Sequence, residues 1–306
     1  MLGVLAGFAV IAAVIAVGYL VGRVRLLGEH AAFVMSRLVF FVLTPCLLFS
    51  LLSHADPAVL FSSRLAVSAL AAIACFVIFS VVAVFVFRRG AADTVIGALG
   101  SGYVNANNIG IPVAAYVLGD AAYSAPVVLV QLLVFAPIAL SILDAATSGH
   151  VSVARVLLQT IRNPLIIASA LGTLIAVTGI DLPELVFEPF RLIGAAAVPV
   201  VLIGFGMSLS RSRILEAGSQ RRDVILASIL KLLVMPLAAF VLARFVFGMA
   251  GHELFAIVVL AALPSAQNVF NYAERYDRGV VLARDTVFIT TLLCVPVLLV
   301  VALLLA

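Results

Sequence analysis

The sequence predicts an all-α integral membrane protein with ten transmembrane helices, and three observations support this fold class. Of 306 residues, 65% are hydrophobic and only 10% are charged, whereas soluble domains average about 25% charged residues. Ten apolar runs have the length needed to cross a bilayer. Basic residues are concentrated at alternate connections between these runs. A water-soluble fold is therefore excluded, and a single membrane domain over residues 1–306 is expected.

The apolar runs give the predicted bounds of the ten spans. They fall at about 2–22, 32–53, 65–87, 94–118, 121–143, 163–180, 187–210, 223–248, 252–274 and 280–306. The first run has no basic residue ahead of it and no small-residue cleavage site after it. We therefore expect it to remain as a span and not to be removed as a signal peptide.

The basic residues predict the orientation, because Lys and Arg accumulate in short cytoplasmic connections. The odd-numbered connections and their flanks hold 15 of the 18 basic residues, and the even-numbered ones hold three. This bias places both termini outside a cell membrane, inner or plasma. The basic residues are scattered singly or in pairs and form no patch for nucleic acid, so nucleic acid is excluded as a partner. The expected partner is the lipid bilayer. The 15 residues are Arg23, Arg25, Arg37, Arg88, Arg89, Arg155, Arg162, Arg211, Arg213, Arg221, Arg222, Lys231, Arg275, Arg278 and Arg284, and the three are Arg64, Arg191 and Arg244.

The two halves of the chain share a proline pattern. A shift of about 155 residues pairs Pro45 with Pro199, Pro112 with Pro264 and Pro137 with Pro296. The predicted repeats are residues 1–143 and 163–306. Each contains five spans, so the second must enter the membrane from the opposite side, and inverted repeats of this kind are typical of secondary transporters. The alternative is coincidence, because prolines are common in membrane helices.

Polar residues inside the spans cluster at two places that predict broken helices. In the fourth span, Gly100-Ser-Gly-Tyr-Val-Asn-Ala-Asn-Asn-Ile-Gly-Ile-Pro112 combines glycines, amides and a proline. In the ninth span, Leu263-Pro-Ser-Ala-Gln-Asn-Val-Phe-Asn271 repeats this composition. The six asparagines of the chain fall at these two places and at Asn163.

A helix break within the membrane has a chemical consequence. The half-helix that follows the break offers free N–H donors at the positive end of its dipole, which favours a carboxylate or phosphate. Amide side chains add further donors. The pattern therefore predicts a site for a small organic anion, with Asn105 and the segment 265–271 as its main candidates. The alternative for any single asparagine is a structural hydrogen bond between helices.

Two ionisable residues within spans are candidates for coupling transport to an ion. Lys231 either supplies a counter-charge or extends to the membrane interface. Asp285 either takes up a proton or forms a surface ion pair with Arg284. Neither break carries Asp or Glu, so a sodium site would depend on carbonyl, hydroxyl and amide oxygens. Cysteines and histidines lack metal-ligand spacing, so neither a metal nor a cofactor is expected.

Several motifs resemble those of the auxin efflux carrier family, which includes plant auxin exporters and bacterial permeases for malate and malonate. They are Gly102 to Pro112, Leu263 to Tyr276, Arg162-Asn163-Pro164 and Val42-Leu-Thr-Pro45. The resemblance implies two inverted five-helix repeats in which helices 4 and 9 cross at Pro112 and Pro264. It also implies an elevator mechanism, with spans 1, 2, 6 and 7 as the scaffold and the other spans moving. A homodimer formed through that scaffold is a further expectation.

The resemblance also assigns site residues. Asn105 and Asn163 match asparagines that contact the substrate carboxylate in plant auxin exporters. The choice between Asn107 and Asn108 stays open. The expected substrate-binding set is Asn105, Asn107, Asn108, Pro112, Asn163, Pro264, Ser265, Gln267, Asn268 and Asn271. The chain departs from the plant pattern in two ways: it has Val269 where the plant exporters have a second proline in the ninth span, and it lacks their long cytoplasmic loop. Auxin itself is therefore not implied as the substrate.

These features predict a secondary transporter of elevator type that exports small organic anions such as carboxylates. The alternative is a sodium- or proton-coupled organic-anion symporter of the bile-acid type. A membrane-embedded enzyme would need a paired nucleophile and base, or two carboxylates, at membrane depth. The sequence contains neither pattern, so we do not expect an enzyme. A receptor without transport activity is a further alternative.

Overall fold

The computed structural model describes residues 2–28, 30–54, 63–148, 158, 161–180, 182–210 and 220–305. Within these residues the chain is helical apart from turns, extended breaks and one isolated bridge between two extended residues. Six described helices are long and apolar enough to cross a membrane. The all-helical membrane class is therefore confirmed. Arg155, Arg211 and Arg213, which entered the orientation argument, lie outside the described residues.

Helices occupy each of the predicted runs. The first half contains α1 (Leu2–Arg23), α2 (Ala31–Leu38), α3 (Thr44–Leu52), α4 (Ser63–Phe85), α5 (Ala91–Gly102), α6 (Ile111–Tyr116), α7 (Ala125–Val130) and α8 (Ala136–Ser148). The second contains α9 (Pro164–Thr178), α10 (Glu184–Ala195), α11 (Ala197–Leu209), α12 (Arg221–Ile229), α13 (Met235–Val241), α14 (Gly251–Ala261), α15 (Gln267–Tyr276) and α16 (Val280–Leu305). Short π-helical turns continue α2 into α3, α7 into α8 and α12 into α13.

The chain divides into two compact units. The first unit comprises Met1–Ser62, Asn107–Leu129 and Gln159–Arg213, and the second comprises Ser63–Ala106, Val130–Leu158 and Ile214–Ala306. Each unit draws on both halves of the chain, so neither coincides with a predicted repeat, and the repeats stay a prediction. The first unit contains the predicted spans 1, 2, 6 and 7, together with residues 107–129.

Close helix packing in the first unit depends on glycine. Helix α1 packs against α11, and α3 packs against α9 and α10. A Cβ atom on Gly206 of α11 would overlap the carbonyl oxygen of Ile15 in α1, and one on Gly18 would overlap that of Ile203. Small residues at such positions allow helix backbones to approach each other closely in membrane proteins.

We expect Gly206→Ala to destabilise the protein by about 1–3 kcal/mol, because the added methyl group forces two backbones apart. The measurement is the thermal unfolding of the purified protein in detergent. Gly204→Ala on the same helix is the matched control, because its Cβ would meet only the Met35 side chain, at 3.9 Å. Equal stability of the two variants would contradict the proposed close contact between α1 and α11.

The second unit surrounds α5 with other helices. Helix α5 packs against α4, α8 and α12, and α16 packs against α12, α14 and α15. A bidentate ion pair joins the connection before α5 to the first turn of α12, with Arg89 Nε 3.0 Å from Asp223 Oδ1 and Nη2 2.7 Å from Oδ2. Asp223 is buried, and its position near the start of α12 is favourable for the helix dipole. The arrangement ties the amino end of α5 to α12, whereas the fourth span is interrupted at the carboxyl end of α5, after Gly102.

Candidate functional site

The fourth span is interrupted directly after α5. Helix α5 ends at Gly102, and Tyr103 is extended, with φ −85° and ψ 104°. Gly102 lies so close to α4 that a Cβ would stand 2.8 Å from the Ala72 carbonyl oxygen. Asparagine side chains compete with the helix for hydrogen bonds to backbone groups, and Asn105 lies three residues after Gly102. The predicted break is therefore present, and the chain resumes as a π-helical turn (Ala106–Gly110) before α6.

The ninth span is interrupted between α14 and α15. Helix α14 ends at Ala261, and Ala266 is extended, with φ −73° and ψ 143°, before α15 begins at Gln267. Pro264 lies in the gap and has no N–H to continue a helix. The second predicted break is thus also present.

The two breaks pair with each other through their backbones. Val104 and Ser265 form an isolated antiparallel bridge. The Asn105 N–H donates to the Pro264 carbonyl oxygen over 2.9 Å, and the Ala266 N–H donates to the Tyr103 carbonyl oxygen over 2.9 Å. These bonds satisfy groups that would otherwise be costly to bury. The interrupted segments of the fourth and ninth spans therefore meet at this bridge, which we call the crossing.

The expected position of the crossing on the fourth span was wrong. It lies at Tyr103–Asn105 and not at Pro112, which is in the first turn of α6. The chain is already helical before this proline, since Ala106–Gly110 is a π-helical turn and Gly110 has helical φ −65° and ψ −45°, so Pro112 does not interrupt the span. Pro264, by contrast, takes part in the crossing as expected.

Protein donors cover the carbonyl ends of the two half-helices that lead into the crossing. The Ser265 hydroxyl donates to the Gly100 carbonyl oxygen near the end of α5. The Lys231 ammonium donates to the Ala261 carbonyl oxygen at the end of α14 over 2.7 Å. A cation is favourable at a helix C-terminus because it opposes the negative end of the dipole. The negative ends are thus compensated from within the second unit.

The amino end of α15 has no side-chain cap, and of its first-turn N–H groups that of Val269 donates to the Ala266 carbonyl oxygen over 3.1 Å. Its N-cap residue is Ala266, which has no side chain that can accept from the first-turn N–H groups. Such N–H groups are unsatisfied within a helix and attract anions. Asn268 is half-buried, and Gln267 and Asn271 are exposed. The side of the crossing on which α15 begins is therefore electropositive and rich in donors.

Buried side chains line the crossing. Asn105 is 4% exposed, and Ser265 and Thr290 have no exposed surface. The Ser265 N–H donates to the Thr290 hydroxyl over 3.1 Å, and that hydroxyl donates to the Thr286 carbonyl oxygen over 2.7 Å. Tyr103 is also buried, and its hydroxyl neighbours Asn268 and Tyr272. The crossing thus has a polar interior.

The predicted site residues separate into two groups. Asn105, Pro264, Ser265, Gln267, Asn268 and Asn271 belong to the second compact unit, and Asn107, Asn108, Pro112 and Asn163 belong to the first. The Asn107 amide donates to the Asn108 side-chain oxygen over 3.1 Å. Asn163 caps α9, its oxygen accepting from the Leu165 N–H over 2.9 Å. Only the oxygen of the Asn163 side chain takes part in this cap, and its two N–H donors do not.

The two coupling candidates are buried in the second unit. Lys231 has no exposed surface, so extension to the membrane interface was wrong. Its ammonium also lies 3.1 Å from Met235 Sδ, and Cys75 and Cys294 are its electrostatic neighbours. Asp285 does pair with Arg284, over 2.8 Å, but it is only 2% exposed. The pair is therefore not the expected surface ion pair.

Sequence reasoning did not select the aromatic and hydroxyl residues of the crossing. Tyr103 stands inside the quoted run of the fourth span, and Thr286 and Thr290 follow each other at helical spacing in the tenth span. Two hydroxyls four residues apart share one face of a helix, a pattern that points to a common polar neighbour. In the described part of the chain, no group of three His, Cys, Asp or Glu residues could hold a metal ion.

The sequence is similar to those of known membrane transport proteins. A family model described as membrane transport protein matches residues 4–302. The uncharacterized transporter YfdV of Escherichia coli is 26% identical over 273 residues, 85% of this chain and 84% of that protein. The uncharacterized transporter MJ1031 of Methanocaldococcus jannaschii is 25% identical over 190 residues, 61% of this chain and 60% of that protein. Because the family model spans nearly the whole chain, the protein belongs to the membrane transport protein family, which is the auxin efflux carrier family that its motifs resemble.

Proposed function

We propose that this membrane transport protein is a secondary transporter that exports small organic anions such as carboxylates. The observation that carries the proposal is the asymmetry of the crossing. Its carbonyl ends are covered by Lys231 and Ser265, whereas α15 begins there with an Ala266 N-cap. A carboxylate placed at the start of α15 would accept hydrogen bonds from N–H groups that have no partner within the helix.

Side-chain amides supply recognition in this proposal. Asn105 is buried beside the crossing, and Asn268 is half-buried in the first turn of α15. Amides donate to a carboxylate without adding a permanent charge. Binding is then reversible, as a carrier that must release its substrate requires. Asn163 keeps its N–H donors available, and we propose that it joins the site during part of the transport cycle.

The composition of the two compact units supports an elevator mechanism. The first unit collects the predicted spans 1, 2, 6 and 7, which are distant in sequence, and the second contains the crossing with Asn105 and Ser265. Movement of one compact unit as a rigid body is a common form of conformational change. We propose that the second unit carries the anion, within a cell membrane that leaves both termini outside.

Membrane potential provides the driving force in this proposal. One elementary charge gains about 2.3 kcal/mol per 100 mV, which corresponds to roughly a fiftyfold concentration ratio. An inside-negative potential therefore drives an anion outward without a coupling ion. The position of Lys231 supports transport without sodium. In secondary transporters the carbonyl ends of half-helices coordinate Na⁺, and here the Lys231 ammonium donates to the Ala261 carbonyl oxygen.

The test uses proteoliposomes loaded with radiolabelled malonate or acetate and an imposed potassium diffusion potential. We expect efflux to rise when the interior is made negative and to be unchanged by a sodium gradient. Protein-free liposomes under the same potential are the control for leak. Efflux that ignores voltage but follows a Na⁺ or H⁺ gradient would establish the coupled symporter instead. Binding of the anion without efflux would favour a receptor.

A further inference from the structure

The exposed side of α15 is polar from its first turn to its last. Its exposed residues are Gln267, Asn271, Glu274 and Arg275, and this spacing places them on one face. Val269 and Ala273 are buried on the opposite face. Helix α15 therefore combines a packed apolar side with an exposed side made only of amide and charged groups.

Helices α4 and α16 of the second unit expose hydrocarbon. Leu70, Val77 and Val81 are exposed on α4, and Leu293 and Val300 are exposed on α16. Such surfaces suit contact with lipid tails. Amide and charged side chains at membrane depth instead face protein or a water-filled cavity. Since the α15 residues are exposed, water is the environment that fits them.

The polar face extends from the crossing to the far end of α15. Gln267 directly follows Ala266, whose N–H bonds to the crossing, and ten helical residues span roughly 15 Å. Arg275 lies 5.5 Å from the centre of the Tyr276 ring and interacts electrostatically with Tyr272, one turn nearer the crossing. Glu274 and Arg275 carry opposite charges, so the exposed residues of this face share an affinity for water and not a single sign of charge.

We propose that the exposed face of α15 is the wall of a water-filled passage through which the anion reaches the crossing. By the predicted orientation, the passage opens to the cytoplasm at the Arg275 end. The role of the anion rests on the proposed function, whereas the hydration of the face follows from its own residues. Water along α15 also explains how polar groups of the ninth span are tolerated at this depth.

Cysteine accessibility tests the passage. Gln267→Cys and Asn271→Cys would be treated with a membrane-impermeant methanethiosulfonate, in inside-out and right-side-out vesicles. We expect both to react at least about tenfold faster than Leu293→Cys, because the thiolate that reacts forms in water and not in lipid. Leu293 is the matched control, since it is 49% exposed on an apolar surface. Wild-type protein, with Cys75 and Cys294 buried and Cys46 partly buried, gives the baseline.

Reaction in inside-out vesicles at both positions supports the passage and its cytoplasmic opening. Reaction rates equal to that of Leu293→Cys, or labelling only in right-side-out vesicles, would overturn it. The labelling experiment does not require transport. Labelled cysteines together with wild-type protein that moves neither malonate nor acetate would refute the proposed function alone, and unlabelled cysteines together with wild-type protein that transports malonate would refute the passage alone.

Discussion

Asn105→Ala is expected to weaken carboxylate binding by about ten- to 150-fold. A hydrogen bond to a charged group contributes about 1.5–3 kcal/mol, and each 1.36 kcal/mol is a factor of ten. The Asn105 backbone bond to the Pro264 carbonyl oxygen does not involve the side chain. The variant therefore removes a side-chain donor while these backbone bonds of the crossing remain, and we expect the affinity for a carboxylate to fall.

The measurement is a thermal-shift screen of mono- and dicarboxylates on the purified protein, in which a ligand that binds the folded state raises the melting temperature. Ser141→Ala is the matched control, because the Ser141 hydroxyl bonds to Pro137 of its own helix over 2.8 Å. We expect the control to keep the ligand-induced shift and Asn105→Ala to lose it. An undiminished shift in Asn105→Ala would exclude its side chain from the site.

Lys231→Met is expected to reduce anion transport by up to about thirtyfold. A partly buried cation at a helix C-terminus contributes up to about 2 kcal/mol, which is a factor of about thirty. Methionine has a similar length and no charge, so it fits a site where lysine has no exposed surface. The variant leaves the Ala261 carbonyl end uncovered and removes positive charge next to the crossing.

Efflux from proteoliposomes at a fixed inside-negative potential measures this effect. Met235→Leu is the control, because it removes the sulfur that lies 3.1 Å from the Lys231 ammonium and keeps a side chain of similar volume. A second variant, Lys231→Ala, leaves space for an added amine, and methylammonium should restore part of its efflux. Wild-type efflux in Lys231→Met would show that the charge has no part in transport.

Composition was enough to predict the membrane class and both helix breaks. Hydrocarbon runs identify helices that cross a bilayer, and amides, glycines and prolines at membrane depth have few explanations other than an interrupted helix. Asn105 and Ser265 were found in this way. Pro112 was overvalued as the crossing point, because proline suggests a break in a sequence even where the chain around it is helical, as it is from Ala106 to Tyr116.

Side-chain burial and the grouping of spans could not be read from the sequence. Lys231 has charged and apolar neighbours in the chain, and only the fold shows that the Ala261 carbonyl lies within reach of its ammonium. The compact units combine segments that are distant along the chain, so no local pattern defines them. One feature of the sequence does indicate that Lys231 is buried. It is the only lysine among 18 basic residues, and a lysine amine is more easily buried than an arginine guanidinium because it readily shifts its pKa.

The bridge between Val104 and Ser265 depends on the backbone and not on side chains. It is made by main-chain atoms of Tyr103, Asn105, Pro264 and Ala266, so replacing a neighbouring side chain leaves the joint in place. Substitutions at the side chains around the bridge are then compatible with the same backbone pairing. For protein engineering, the same property makes the positions around this joint suitable for saturation mutagenesis, with retained folding as the starting condition of each library.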